Sequence, residues 1–372
     1  RTNLSRLPPL GQYADVHVIS FYGNKLESLS PEIGKLTELQ TLWLNRNKLL
    51  ILPPEIGLLT NLQDLGLSNN NLTYLCSKIG QLTNLQYLAL KCNRLRTLPP
   101  DIGQLTSLQK LTLDENRLTT LPSEIGHLVK LQKLSINKNR LVSLPPEIGK
   151  LARLQELWLE NNELTTLPSE IGQLTCLQTL RLAYNRLTTL PPEIGRMDSL
   201  QKLWLENNKL TTLPPEIGQL AMLETLSISS NKLTSIPPEI GQLTNLQYLY
   251  LGCNRLTSLP PEIGQLFNLL SISVSYNQLT YLPAEVSQLV NVWGLWTVGT
   301  KIKSFPPEIK RMNALDVLVM NDDMEDAATF RHLTNLKRPP SFIEKNIIPA
   351  QRRKRRKITL LCVESAIFLN FQ

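Results

Sequence analysis

One residue type returns at a fixed interval along most of this chain. Asparagine stands at Asn24, Asn47, Asn70, Asn93, Asn116, Asn139, Asn162, Asn185, Asn208, Asn231, Asn254 and Asn277, always 23 residues apart, without an insertion or deletion. Leucine columns run beside it, as at Leu42, Leu65, Leu88, Leu111 and on to Leu249. A length of 372 residues would otherwise suggest two or three globular domains, but a strict internal period overrides that prior. A unit this small cannot bury its apolar face alone, so the chain must be a stack in which each repeat covers the next.

The segment Leu39-Gln-Thr-Leu42-Trp-Leu44-Asn-Arg-Asn47-Lys-Leu49 shows how one repeat works. Alternate apolar positions in its L-x-L core predict a short strand. Stacked strands make a parallel sheet, and at roughly 4.8 Å per strand a dozen repeats span on the order of 55 Å. The other half, such as Pro53-Pro-Glu-Ile56-Gly-Leu-Leu59, places proline where a helical turn begins and predicts a short helical or 3-10 turn on the convex side. Glycine is expected to let the chain leave that turn. An asparagine amide has both donors and an acceptor, so the column from Asn47 to Asn254 is expected to bridge the backbones of successive turns as a structural ladder.

Written out, the repeat reads L-T-x-L-P-P-E-I-G-Q-L-T-N-L-Q-x-L-x-L-x-x-N-x-L, most closely at Leu210–Leu226 and Leu233–Leu249. It resembles the intracellular Ras-group leucine-rich-repeat proteins, which include the plant Ras-group proteins, animal Ras-binding scaffolds, the Ras suppressor protein and the repeat domains of Scribble and Erbin. The resemblance covers roughly residues 16 to 320. It implies an α/β leucine-rich-repeat solenoid, a curved horseshoe with a parallel inner sheet, and a role as a binding scaffold in signalling, with a small GTPase or another signalling protein as partner. Similar repeats occur in bacterial proteins, so the ligand stays open.

The expected organisation is a truncated or missing N-terminal cap over 1–15, a solenoid over 16–314, a degenerate last repeat acting as cap over 315–340, and a basic then apolar tail over 341–372. In the worn end Asn gives way to Thr300 and Asp323, and the strand leucine becomes Thr297. Net charge is +8, but the run Arg352-Arg-Lys-Arg-Arg-Lys357 supplies +6 of it, leaving the body near neutral. That run reads as a nuclear import signal, a contact for acidic lipid or nucleic acid, or a solvated tail. The five cysteines are scattered, without disulfide-bonded caps, which points to a reducing, cytoplasmic setting, with the nucleus reachable through Arg352–Lys357.

No catalytic, cofactor-binding or metal-binding constellation is read in the chain. The histidines His17, His127 and His332 lie apart, without cysteine or carboxylate at ligand spacing. Every PEIG glycine belongs to the repeat rather than to a phosphate loop. An enzyme and a small-molecule substrate are therefore not expected.

Specificity is left to the strand positions that point outward. The column midway between the two strand leucines holds Trp43, Trp158, Arg181, Trp204, Tyr250 and Trp296 among smaller residues. Large aromatics on a concave face are typical interface anchors. Charge on that face is banded: Lys91, Arg94, Lys110, Arg117, Lys133, Lys138 and Arg140, then Glu156, Glu160, Glu163 and Glu206, with Arg181, Tyr184 and Arg186 between. Mixed signs argue against nucleic acid and suit a protein with complementary patches. The expected centre is the zone of Trp158, Arg181, Tyr184 and Trp204. Two alternatives stand beside the scaffold reading. One is the recognition part of a larger kinase, cyclase or receptor. The other is an extracellular or host-directed recognition protein, for which Asn71-Leu-Thr73 offers a glycosylation sequon.

Overall fold

The computed structural model describes residues 15–321. They fall in two compact units, one holding the residues up to 186 with 196–200, the other 187–195 and the residues from 201 on. In the first unit the strands are β1 (Val18–Ser20), β2 (Thr41–Trp43), β3 (Asp64–Gly66), β4 (Tyr87–Ala89), β5 (Lys110–Thr112), β6 (Lys133–Ser135), β7 (Glu156–Trp158) and β8 (Thr179–Arg181). In the second they are β9 (Lys202–Trp204), β10 (Thr225–Ser227), β11 (Tyr248–Tyr250), β12 (Ser271–Ser273), β13 (Gly294–Trp296) and β14 (Val317–Val319). Within each unit the strand order is the chain order, and every pairing is parallel with partners one repeat apart, as in Leu134 against Leu157 and Leu226 against Leu249.

Between consecutive strands runs a five-residue 3-10 turn such as Pro54–Leu58 or Pro238–Gln242. The first proline of each PP pair holds extended backbone, φ −69° and ψ 147° at Pro53, and the second opens the turn where a missing N–H costs nothing. Where the pair is replaced by Ser-Pro, Ser30 accepts from the Glu32 N–H at 3.3 Å. Leucine and isoleucine columns fill the space between strands and turns: Leu39, Leu42, Leu44, Leu49, Ile56, Leu59 and Leu62 are fully buried. Each such side chain contributes roughly 1.5–3 kcal/mol relative to exposure, but only because a neighbouring repeat covers it.

The exit from the turn corrects one expectation. The capping residue is leucine, Leu59 at φ −80° and ψ 56°, and its N–H closes on the Ile56 carbonyl. The glycine, Gly57 in this turn, lies two residues earlier and is needed for a different reason. A Cβ on Gly126 would stand 2.6 Å from the Glu147 carbonyl oxygen of the next turn, and on Gly241 2.6 Å from that of Glu262. Glycine is required because adjacent turns approach backbone to backbone.

After each strand the chain reverses through a left-handed residue. From Arg46 to Tyr276, the residue before each ladder asparagine has φ between 53° and 58°, and Gly23 and Gly299 take the same place at 71° and 74°. That conformation costs roughly 1–2 kcal/mol for a residue with a side chain. The asparagine beside it offsets the cost. Asn162 Oδ1 accepts from the Leu141 N–H at 3.0 Å, while its Nδ2 donates to the Ile136 carbonyl at 2.9 Å and the Leu159 carbonyl at 3.1 Å. The same three bonds form at Asn70, Asn93, Asn116, Asn139, Asn185, Asn231 and Asn254. Asn47 serves Leu26, Phe21 and Leu44 in the same way, and Asn208 accepts from Leu187 at 2.9 Å. At the worn end Thr300 keeps one of these links, its hydroxyl donating to the Thr297 carbonyl at 2.7 Å.

A second, exposed asparagine ladder went unpredicted. Asn61, Asn84 and Asn245 of the T-N-L segments, with Asn268 and Asn291 at the same place in later repeats, donate to carbonyls 24 residues back, at 2.7–3.0 Å. The tail with Arg352–Lys357, Asp323 and most of the cap expected over 315–340 lie outside the described residues.

Candidate binding face

Leucine stands at the centre of each strand except β1 and β12, where isoleucine replaces it, and the residues on either side of it stand on the open face of the sheet. In the first unit this face is built from aromatic rings, cations and carboxylates in chains. Trp43 on β2 lies flat across Gly66 of β3, where a Cβ would come within 2.2 Å of the indole. Its ring meets Tyr87 on β4 edge-on, centroids 6.2 Å apart. Lys110 on β5 then places its ammonium 5.1 Å from the Tyr87 ring centre.

The second chain centres on Trp158 of β7. Lys133 of β6 holds its Nζ 3.4 Å from the centre of the indole, and the Arg181 guanidinium of β8 stands 4.7 Å from it. Each cation also has a carboxylate: Lys133 binds Glu156 at 2.7 Å and Arg181 meets Glu160 at 3.6 Å. Burial pushes the Glu160 carboxyl above its ordinary range, Arg181 pulls it back only in part, and Asp114 pushes it further. Tyr184 sits apart from the strands, 43% exposed on the left-handed bend at φ 56°.

Part of the charge bands of the sequence is paired across neighbouring repeats. Glu115 lies 3.7 Å from Lys91 and 3.6 Å from Lys138, and Arg186 meets Glu163 at 3.1 Å. Partners 23 residues apart occupy one column of adjacent repeats, Lys133 with Glu156 on neighbouring strands and Lys138 with Glu115 on neighbouring bends. At these pairs the face is locally neutralised and pre-ordered. Sequence reasoning also missed Asn45, Asp114 and Asn137, which cap the backbone N–H groups of Ser68, Asn137 and Glu160 in the next repeat at 2.7, 2.9 and 2.8 Å. Their shared column, at spacings that are multiples of 23 residues, was the available signal.

In the second unit Trp204 is only 8% exposed and Glu206 7%, so neither stands free as an anchor. Tyr250 stacks on Tyr248 with ring centres 6.4 Å apart, and Trp296 packs edge-on against Trp293 at 5.7 Å. The four cysteines among the described residues form no disulfide; Cys92 donates to Glu115 at 3.4 Å. Among the described residues no three His, Cys, Asp or Glu side chains gather to hold a metal ion, and no helix is long and apolar enough to cross a membrane.

A ladder of asparagines, parallel strands of three residues and 3-10 turns in strict alternation define a repeat solenoid whose outward columns are free to vary. This chain belongs to the leucine-rich-repeat family. A family model described as "Leucine-rich repeat region" matches residues 64–163, 123–208 and 147–235, and the models "Leucine Rich repeats (2 copies)" and "Leucine rich repeat" match 222–262 and 244–295. Among solved structures, a leucine-rich-repeat protein of Leptospira interrogans is 38% identical over 85% of this chain and 93% of that one, with a TM-score of 0.66. YopM, a leucine-rich effector protein from Yersinia pestis, is 26% identical over 83% and 87%, TM-score 0.60. The plant peptide hormone receptor RGFR1, solved in complex with RGF2, is 29% identical over 83% of this chain and 60% of that one, TM-score 0.61. Comparison with curated protein sequences gives no match.

Proposed function

We propose that this chain is a protein-binding scaffold whose first unit captures its partner on the open face from β4 to β8. The observation that carries the reading is the clamp on Trp158, where cations from the strands on either side, each held by its own carboxylate, fix a large ring within a charged surface. Such a surface is ordered before binding, so little rotamer freedom is lost on contact. Its interleaved signs select a partner with complementary charge. Lys110, Lys133, Glu156, Trp158, Glu160 and Arg181 carry the contacts, with Trp43 and Tyr184 at the margins. Catalysis has no part in this reading, since the family's domains are typically non-enzymatic and work through extended binding surfaces. A cytoplasmic signalling setting with a small GTPase partner is supported by the repeat consensus alone.

Capture from native lysate tests the reading when the parent is compared with Trp158→Ala and with Lys133→Glu. Both variants should lose the same specific protein while folding normally. Retention of that protein by both would move the site off this face.

A second reading is favoured by the likeness to a receptor that binds a peptide hormone and is longer than this chain. In it, the chain is the recognition part of a larger receptor. Asn71, half-buried at the strand end, then becomes a glycosylation site. Glycosidase sensitivity of the native protein separates the two readings.

A further inference from the structure

The residue that follows each ladder asparagine forms a column of its own. In the second unit it is Lys209, Lys232, Arg255, Gln278 and Lys301, all exposed. The backbone fixes each of the five to the repeat before, its N–H donating to the carbonyl of Leu187, Leu210, Leu233, Leu256 or Leu279 at 2.8–2.9 Å. Successive members therefore stand one strand step apart, and the column runs for about 19 Å. Among the described residues none of its four cations makes an ion pair. Like charges one repeat apart repel, and the first unit relieves such a column by alternating sign, as in Lys133 with Glu156. Nothing relieves this one. The bend before it holds Asn207, Ser230, Cys253, Tyr276 and Gly299, and the positions two residues past it hold Thr211, Thr234, Thr257, Thr280 and Lys303, with no carboxylate in either column.

The cationic track is interrupted once. In the repeat where Gln278 replaces a cation, two tyrosines are exposed, Tyr276 at 39% and Tyr281 at 55%. Tyr276 is braced from behind. A Cβ on Gly299 of the next repeat would come within 2.5 Å of its ring, so the ring rests against that glycine. A ring already held in place loses little freedom when another ring stacks on it.

We infer that this flank of the second unit binds a single strand of nucleic acid, with phosphates on Lys209, Lys232, Arg255 and Lys301 and bases stacked on Tyr276 and Tyr281. A cationic track interleaved with aromatic rings is what an unpaired strand requires, charge for its backbone and flat surfaces for its bases. Threonine hydroxyls beside the track can donate to phosphate and sugar oxygens. The Gln278 amide, with donors and an acceptor, can meet a base edge. A duplex keeps its bases stacked inside and leaves the tyrosines without a role. An acidic peptide, a sulfated chain or an anionic bilayer would use the cations alone. The mixed signs that argue against nucleic acid belong to the face of the first unit, and the two sites are independent.

Fluorescence anisotropy of labelled oligo(dT) and oligo(U), each about a dozen nucleotides long, tests the inference on the full chain. The competitors are a duplex of the same length, heparin, polyglutamate and phosphatidylserine vesicles. Saturable binding of a single strand is expected, with log K falling against log salt at a slope of about −2.8, the value for four phosphates at roughly −0.7 each. Lys232→Gln combined with Arg255→Gln should halve that slope to about −1.4 and leave the melting temperature unchanged. Tyr276→Ala and Tyr281→Ala should each weaken binding roughly tenfold at an unchanged slope, because stacking neutralises no phosphate. Absence of single-strand binding, equal or tighter binding of any competitor, or full affinity in both tyrosine variants would overturn the inference.

Discussion

The Nζ of Lys133 stands 3.4 Å from the centre of the Trp158 ring while bonded at 2.7 Å to Glu156. One side chain thus serves two neighbours on the next strand, an indole and a carboxylate. A double-mutant cycle between Lys133→Met and Trp158→Leu isolates the first of these. At a partly exposed site the coupling should be about 0.5–2 kcal/mol in unfolding free energy. Additive effects would mean that the lysine is held by Glu156 alone.

Asn162→Ala should destabilise the chain by roughly 1–3 kcal/mol, because it strands the Leu141 N–H and removes the donor to Ile136 and Leu159. Asn61→Ala, on the exposed ladder, loses a single bond to Thr37 at the surface and should cost far less. Chemical denaturation of the two variants compares them directly. Equal midpoints would contradict the assignment of the buried column as the structural one.

Gly126→Ala places a methyl 2.6 Å from the Glu147 carbonyl and 2.9 Å from its Cβ. Backbone cannot give way as a side chain would, so a loss of roughly 1–3 kcal/mol is expected. Ser287 and Lys310 are the exceptions among the described turns, and Ser287, in the turn Ala284–Gln288, bonds the Ala284 carbonyl at 2.7 Å. Ser287→Gly should therefore change stability much less than Gly126→Ala. A melting temperature of Gly126→Ala equal to the parent's would remove the close approach as the reason for the glycine column.

Strict register made the ladder and the leucine core readable, since a 23-residue period leaves only one way to stack. The left-handed bend was hidden because its column holds Arg46, Asn69, Glu115, Lys138 and Tyr184, residue types that give no glycine signal. The role of the PEIG glycine was misread because its constraint comes from the next repeat, which one repeat's pattern does not show. On the face, the tryptophans were found but not their posture. Trp43 lies flat because Gly66 follows it 23 residues later, and Trp296 because Gly294 precedes it on the same strand. The ion pairs Lys133–Glu156 and Lys138–Glu115 were also present in the columns, where bands of one sign drew attention instead.

Two carboxylates on this face should respond to pH in opposite senses. Burial raises Glu160 despite Arg181, so the folded state holds that proton to higher pH than the unfolded chain does. Its ionisation therefore costs stability as pH rises above the ordinary glutamate range. Burial also raises Glu115, but the Cys92 thiol, Lys138 and Lys91 together outweigh it and lower the value. Its contribution is present above the ordinary range and is lost as pH falls through the lowered value. Relative to the parent, Glu160→Gln should gain stability as pH rises through that window, and Glu115→Gln should lose it. Parallel pH profiles for the two variants would contradict the assigned environments.

The most direct test of the binding face is a photo-crosslinking amino acid placed at two exposed positions of the first unit. One is Tyr184, at the bend beside the Trp158 clamp; the other is Lys130, between the 3-10 turn Ser123–His127 and β6. The account predicts a specific protein adduct from position 184 that disappears when Trp158→Ala is added, and none from position 130. An adduct from position 130 alone, or one from 184 that survives Trp158→Ala, would contradict it.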